Sequence, residues 1–367
     1  MNSTAFRCWA EIDLAALRRN AALARDRVGP NVELLAIVKA NGYGHGMMRV
    51  AEALAAEAHL FGVANLEEAT QLRESVDHPI MILGPALPEE RESIVRKQFI
   101  PSVSNLEEAM AFDQTATNAP AAINFVIDTG MGRMGTLAAD AANAVEQIAT
   151  LRNVRLHSIS THLPVADEDE EFTRRQLSDF AELVRHIRIA TPKDCKVHVL
   201  LSAGVLGFFN TAFNIVRPGL MLYGSSPLPQ FQNLLAPVMT FKTRVVLVRD
   251  LPAGSSVSYG RTFVTPGPMR VATLSVGYAD GYSRHLSGRG TSVLINGKRC
   301  PLLGRVTMDL TMVDVSALPE VRTGDEAVLF GRQAGEEILA SELAERAGTI
   351  PWEIFTGIGS RVRRVYL

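Results

Sequence analysis

Eight short apolar runs punctuate the first part of the chain, at residues 34–40, 60–64, 80–84, 99–103, 122–127, 156–161, 197–202 and 216–223. None shows the strict alternation of a half-exposed strand, and each is short for a buried helix, so each predicts a strand covered on both faces. Most are separated by segments with helical spacing of apolar residues, such as 47–58 and 137–151. Alternating strands and helices imply right-handed crossovers and a parallel sheet. A count of eight favours an α/β architecture closed as a TIM-type (β/α)8 barrel over an open doubly wound sheet. No Gly-x-Gly-x-x-Gly follows the first run, which weakens a dinucleotide-binding alternative.

An internal echo lies within this pattern: Asn65-Leu-Glu-Glu-Ala69 recurs as Asn105-Leu-Glu-Glu-Ala109, each directly after a predicted strand. In both copies Asn can cap a helix while the second Glu closes a capping box; duplication and convergent capping explain the echo equally well. After Tyr223 the texture changes. Pro227, Pro229 and Pro237 mark a linker, followed by β-rich runs at 243–248, 270–276 and 311–315, and Asn296-Gly297 signals a tight hairpin. The expected division is a barrel over residues 1–235 and a mainly β domain over 236–367.

A length of 367 residues suits two cored domains, and 47% hydrophobic with 21% charged residues is ordinary for an ordered globular protein. The net charge of −2 comes with scattered Lys and Arg, which argues against nucleic acid as a partner. No signal-like N-terminal stretch and no span-length apolar run is present, so no membrane association is expected. Cys8, Cys195 and Cys300 fit neither a disulfide framework nor a metal site, and a cytoplasmic setting is expected.

Lys39 ends the first apolar run in Ala36-Ile-Val-Lys-Ala-Asn-Gly-Tyr-Gly-His-Gly46. A barrel collects its active site at the carboxyl ends of its strands. Burial there favours the neutral amine, making Lys39 a candidate to attack an aldehyde; the alternative is a strand-end lysine reaching out to solvent. Gly42, Gly44 and Gly46 allow close backbone approach to a ligand, and Tyr43 offers a hydroxyl to an anion, although a loop needing only tight turns would read alike.

This segment is similar to the cofactor-lysine motif of the alanine racemase family, pyridoxal-phosphate enzymes of fold type III, and further matching motifs follow in family order across almost the whole chain. The resemblance implies that Lys39 carries pyridoxal 5′-phosphate, with Tyr43, Ser202, the backbone of Gly219 and Leu220, and Trp352 at its phosphate. Arg217, in Arg217-Pro-Gly-Leu220, is implied as the partner of the pyridine nitrogen, where it limits side reactions. Arg133, in Asp128-Thr-Gly-Met-Gly-Arg-Met-Gly135, is implied at the phenolic oxygen and the substrate carboxylate. His162, in Thr161-His-Leu-Pro164, is implied to link Arg217 to the catalytic tyrosine. Val257-Ser-Tyr-Gly260 supplies that tyrosine, Tyr259, while Gly277-Tyr-Ala-Asp-Gly281 and Gly304-Arg-Val-Thr-Met-Asp309 place Tyr278, Met308 and Asp309 at the substrate. Taken alone, His162 reads as a structural histidine, the acidic run 167–171 as solvated, and the second-domain aromatics and methionines as core.

The implied activity is interconversion of L- and D-alanine by two bases, Lys39 on the D face and Tyr259 on the L face, in a homodimer whose partner supplies Tyr259. Alternatives are a broader amino-acid racemase acting on serine, a non-catalytic pyridoxal-phosphate carrier, and a barrel decarboxylase. The carrier would need no β domain and no opposing tyrosine, and the decarboxylase would pair an acidic residue with the pyridine nitrogen. Three positions depart from the family pattern: Val126 replaces a carbamylated lysine, Leu201 an asparagine and Trp352 a tyrosine. Arg133 therefore needs another holder, with Asn124, chloride and water as the options.

Overall fold

A computed structural model describes residues 6–209 and 212–367. One strand, β1 (Cys8–Ile12), precedes the set anticipated from the apolar runs. Those runs overlap β2 (Glu33–Ile37), β3 (Leu60–Val63), β4 (Ile80–Ile82), β5 (Ile100–Val103), β6 (Ala121–Asp128), β7 (Val154–Ser160), β8 (Lys196–Leu201) and β9 (Ile215–Arg217). Each pairs in parallel with the next, and β9 returns to β2 through Ile215 opposite Glu33, closing an eight-strand barrel.

Two strands end three or more residues before their apolar runs do. β2 stops at Ile37, and the chain then takes left-handed backbone at Ala40, Asn41, Gly42 and Tyr43, with φ of 52°, 54°, 62° and 50°. β9 stops at Arg217 and yields to a 3-10 turn over Leu220–Tyr223 whose four side chains are all buried. Val38 in the first place and Leu220–Tyr223 in the second are buried, and burial does not distinguish a strand from a packed turn.

The covering helices follow the 3.6-residue period. Met47–Leu54 buries Met47, Val50, Ala51 and Leu54, and Ala141–Ile148 buries Ala141, Ala144, Val145 and Ile148, the same spacing in each. The acidic run at 167–171 becomes the cap and first turn of helix Glu170–Ile187, where Asp169 accepts the Phe172 N–H and the negative charges suit the helix start.

A polar belt crosses the barrel interior. Asn124 donates to Ser102 Oγ at 3.0 Å and accepts from Ser158 Oγ at 3.0 Å and His198 Nε2 at 3.1 Å. Strand register places Ser102 beside Asn124 and Asn124 beside Ser158. Burial holds His198 well below its usual pKa, so it stays neutral. Buried Asn20 ties down the barrel's exit, donating to the carbonyls of Leu222 and Ala236 and accepting the Ala236 N–H.

The chain divides into two units, one of residues 17–42 and 47–236, the other of 1–16, 43–46 and 237–367. Residues 6–16 go with the second unit because β1 is a strand of its sheet. It pairs antiparallel with β10 (Met239–Leu251), Cys8 opposite Thr243, and parallel with the strand Arg363–Tyr366, Trp9 opposite Arg363. The hairpin at Asn296-Gly297 joins the strands Ser292–Ile295 and Lys298–Pro301 through two left-handed residues, the backbone that a two-residue turn demands. Trp9, Phe241 and Phe330 fill this unit's core, and Phe330 packs on Phe355 at 5.8 Å. Two short helices, Ala340–Ala347 and Pro351–Thr356, complete it.

Candidate active site

In the barrel unit, Lys39, Arg133, His162 and Arg217 lie at or just beyond the carboxyl ends of β2, β6, β7 and β9. Half-buried Lys39 has its pKa lowered, first by desolvation and then by the charges of Arg133 and Arg217, with Glu68 pulling the other way. Burial, then Arg217, Arg133 and Lys39, push His162 down to about 3, so its ring is neutral at working pH. Desolvation and Arg133 bring Arg217 down to about 10, still charged at neutral pH. Arg217 is anchored by donating to the carbonyls of Thr161 at 2.5 Å and Val199 at 3.2 Å.

Arg133 is exposed on the loop after β6. Asp128 shapes that loop by accepting the N–H groups of Gly130, Met131 and Gly132, each at 2.8 Å. Gln176, invisible to motif reading, donates to Thr129 Oγ1 at 2.7 Å and to the His162 carbonyl at 3.0 Å, joining the Arg133 loop to the His162 loop. Asn124, one option for holding Arg133, is committed to the interior belt, and Val126 is apolar and buried. Among the described residues no hydrogen bond or ion pair engages the Arg133 guanidinium.

Ser202 opens the short helix Ser202–Gly207 directly after β8. Its Oγ accepts the N–H groups of Gly219 at 3.0 Å and Met221 at 3.2 Å, which leaves the hydroxyl proton to be donated. The Gly219 N–H is thereby directed at Ser202.

The other anticipated residues belong to the second unit. Tyr43 is buried there, and desolvation pushes its phenol up to about 12 against a hydrogen bond from the Trp352 indole. Gly44 lies against the Phe355 carbonyl, where a Cβ has no room, and its own carbonyl accepts from Arg364 at 2.9 Å. Tyr259 follows left-handed Ser258 and is 70% exposed. Tyr278 and Met308 are brought together: the Tyr278 N–H donates to Thr307 and the Ala279 N–H to Met308. Arg361, another residue missed by motif reading, donates to Asp280 and Asp309 at 2.7 Å each and so fixes both loops. Among the described residues no group of three or more His, Cys, Asp or Glu gathers as a metal site, and no helix is long and apolar enough to cross a membrane.

Residues 12–227 match the family description "Alanine racemase, N-terminal domain" and residues 238–366 "Alanine racemase, C-terminal domain". The alanine racemase of Halothermothrix orenii is 40% identical over 368 residues, covering 98% of this chain and 96% of the relative. The crystal structure of alanine racemase from D-cycloserine-producing Streptomyces lavendulae superposes with a TM-score of 0.91 at 36% identity, covering 98% and 97%. Alanine racemase from Bartonella henselae, solved with covalently bound pyridoxal phosphate, gives 0.90 at 28% identity, covering 99% and 100%. Matched through both halves and alike in fold, the chain belongs to the alanine racemase family, a pyridoxal-phosphate-dependent isomerase that racemises alanine.

Proposed function

We propose that the barrel holds pyridoxal 5′-phosphate on Lys39 and that Lys39 and Tyr259 are the two bases of alanine racemisation. The observation that carries this is the lysine itself, a half-buried strand-end amine beside two guanidinium groups, all of which favour its neutral, nucleophilic form. The site also fits the group. Lys39, Arg133 and Arg217 concentrate positive charge, and the free proton of Ser202 supplies a donor for an anionic ligand. When bound, the cofactor supplies an electron sink that acidifies the amino-acid α-carbon.

The protein's own part is position and proton transfer. Arg133, with its fork unengaged, takes the substrate carboxylate. Lys39 exchanges the α-proton on the D face and Tyr259 on the L face. Neutral His162 relays between Tyr259 and anchored Arg217. Ser202, Leu220, Tyr43 and Trp352 attend the phosphate, Gly219 acting through its N–H bond to Ser202 Oγ, while Tyr278, Met308 and Asp309 bound the substrate.

The proposed assembly is a homodimer in which each site receives Tyr259 from the partner. Tyr259 at 70%, Met308 at 53% and Tyr278 at 43% exposure support it, since large side chains with a chemical role stand uncovered in one chain. A cytoplasmic setting accords with Cys8, Cys195 and Cys300 all being free thiols.

Borohydride reduction of the loaded protein followed by peptide mapping tests the assignment. Label on Lys39, with chiral conversion of L- to D-alanine lost in Lys39→Ala, is the expected result. Label on any other lysine would overturn it.

A further inference from the structure

Glu68 opposes the guanidinium charges at Lys39 without touching the proposed substrate site. It lies in the first turn of the helix Leu66–Leu72, where Asn65 accepts its N–H at 2.9 Å. A capping box would turn its carboxylate back onto Asn65. Instead Oε2 accepts the N–H of Ala64 at 2.8 Å, and Oε1 reaches another strand end to accept the N–H of Ala40, also at 2.8 Å. Ala40 is the residue after Lys39 and the first of the left-handed turn.

The echo motif supplies a comparison within the same barrel. Glu108 repeats the cap, its Oε2 accepting the Ser104 N–H at 2.8 Å, but its Oε1 receives only the Asn105 side-chain amide at 3.4 Å. The two glutamates thus share one job and differ in a second. Left-handed backbone at Ala40 and Asn41 is strained and persists only where contacts over-determine it. Three contacts do so here: Gly42 N–H to the Val38 carbonyl at 2.7 Å, Met47 N–H to Asn41 Oδ1 at 3.0 Å, and Ala40 N–H to Glu68. The Glu68 bond is the one beside the lysine, and an ionised acceptor makes it the strongest kind.

The geometry points to Glu68 as a positioning residue for Lys39, clamping the first left-handed residue behind the amine and placing a carboxylate to oppose the site's cations. This rests on the assignment of Lys39 as the cofactor lysine. The charged and titratable groups acting around Lys39 are Arg133, Arg217 and His162 together with Glu68. Without the Glu68 charge the guanidinium groups act unopposed, and the amine loses its proton at lower pH.

The test compares full-length parent, Glu68→Gln and Glu108→Gln. Borohydride mapping of the loaded parent comes first; label away from Lys39 would sink the cofactor assignment and leave Glu68 without this role. With Lys39 labelled, the cofactor is removed and the pH dependence of reductive capture of pyridoxal phosphate at Lys39 is measured. Glu68→Gln is expected to move that curve to lower pH by about half a unit or more and to cut kcat about tenfold with a smaller change in KM. Glu108→Gln should lower the thermal midpoint comparably while leaving capture and kcat at parental values. A Glu68→Gln curve that overlays the parent, or an equal shift in Glu108→Gln, would overturn the inference. If Glu68→Gln fails to fold, Glu68→Asp is set against Glu108→Asp. A kcat loss confined to position 68, with the capture midpoint retained because the charge remains, would uphold the role; equal kcat at both positions would refute it.

Discussion

The Ala279 N–H donates to the Met308 carbonyl at 3.1 Å, so the loop carrying Tyr278 and the loop carrying Met308 and Asp309 move as one backbone-bonded piece. Gly277 makes the approach feasible. Its backbone is extended, which any residue accepts, but a Cβ would strike the carbonyls of Thr307 and Met308. Gly277→Ala should therefore cost about 2 kcal/mol of stability in urea unfolding by overpacking, and lower kcat/KM by separating the two loops. A variant as stable as the parent would show that the loops yield freely.

Trp352 gives its indole N–H to Tyr43, which occupies the phenol oxygen and leaves the phenol proton to be donated elsewhere. Removing that donor in Trp352→Phe should weaken pyridoxal-phosphate binding by about 1 kcal/mol, roughly fivefold in Kd by fluorescence titration. Trp352→Tyr restores a hydroxyl and should recover most of the loss. Equal affinities in all three would assign Trp352 to packing.

His162 makes acid stability diagnostic. Its folded value of about 3 lies below the ordinary 6.5, so between those limits the folded state binds fewer protons than the unfolded chain. The stability it contributes is full above about pH 6.5 and is lost as pH falls towards 3. In the cofactor-free chain, unfolding free energy should fall more steeply over that window for the parent than for His162→Asn, by about 2 kcal/mol after allowing for partial exposure. Parallel curves would mean that the imidazole is solvated.

The barrel was legible because a strand covered on both faces leaves an apolar run that chemistry cannot easily imitate. The same logic fails after Ile37 and after Arg217, where the run continues past the end of the strand and long-range hydrogen bonds impose the geometry. The Asn124, Ser158 and His198 belt had a readable signal, polar residues inside otherwise apolar strands, but only the folded barrel's hydrogen bonds show that they meet. Lys39, Arg133 and Arg217 were named by motif. Glu68 was visible only as a helix cap, and Gln176, Arg361 and Asn20 not at all, since their partners lie from 14 to 216 positions away.

Subunit mixing tests the proposed sharing of Tyr259. Lys39→Ala and Tyr259→Phe homodimers should each be nearly inactive, since each lacks one proton-transfer group in every site. In a mixed dimer with shared sites, one site collects both defects and the other none, so activity should return to a substantial fraction of the parent. Continued inactivity, with exchange verified by mass, would place both bases in one chain.

The pairing of β1 with the strand Arg363–Tyr366 also sets an order of events during synthesis. Trp9 finds its neighbour Arg363 about 350 positions later, a separation that makes the contact slow to close. The barrel unit, which ends at residue 236, emerges long before that, and β1 can pair with β10 as soon as Leu251 is made but keeps its other edge open until Arg363–Tyr366 follows. A waiting strand with an unpaired edge is a target for chaperones and for strand exchange between nascent chains. Cells making this protein quickly would meet their losses at that first strand, in aggregates whose barrels are already folded.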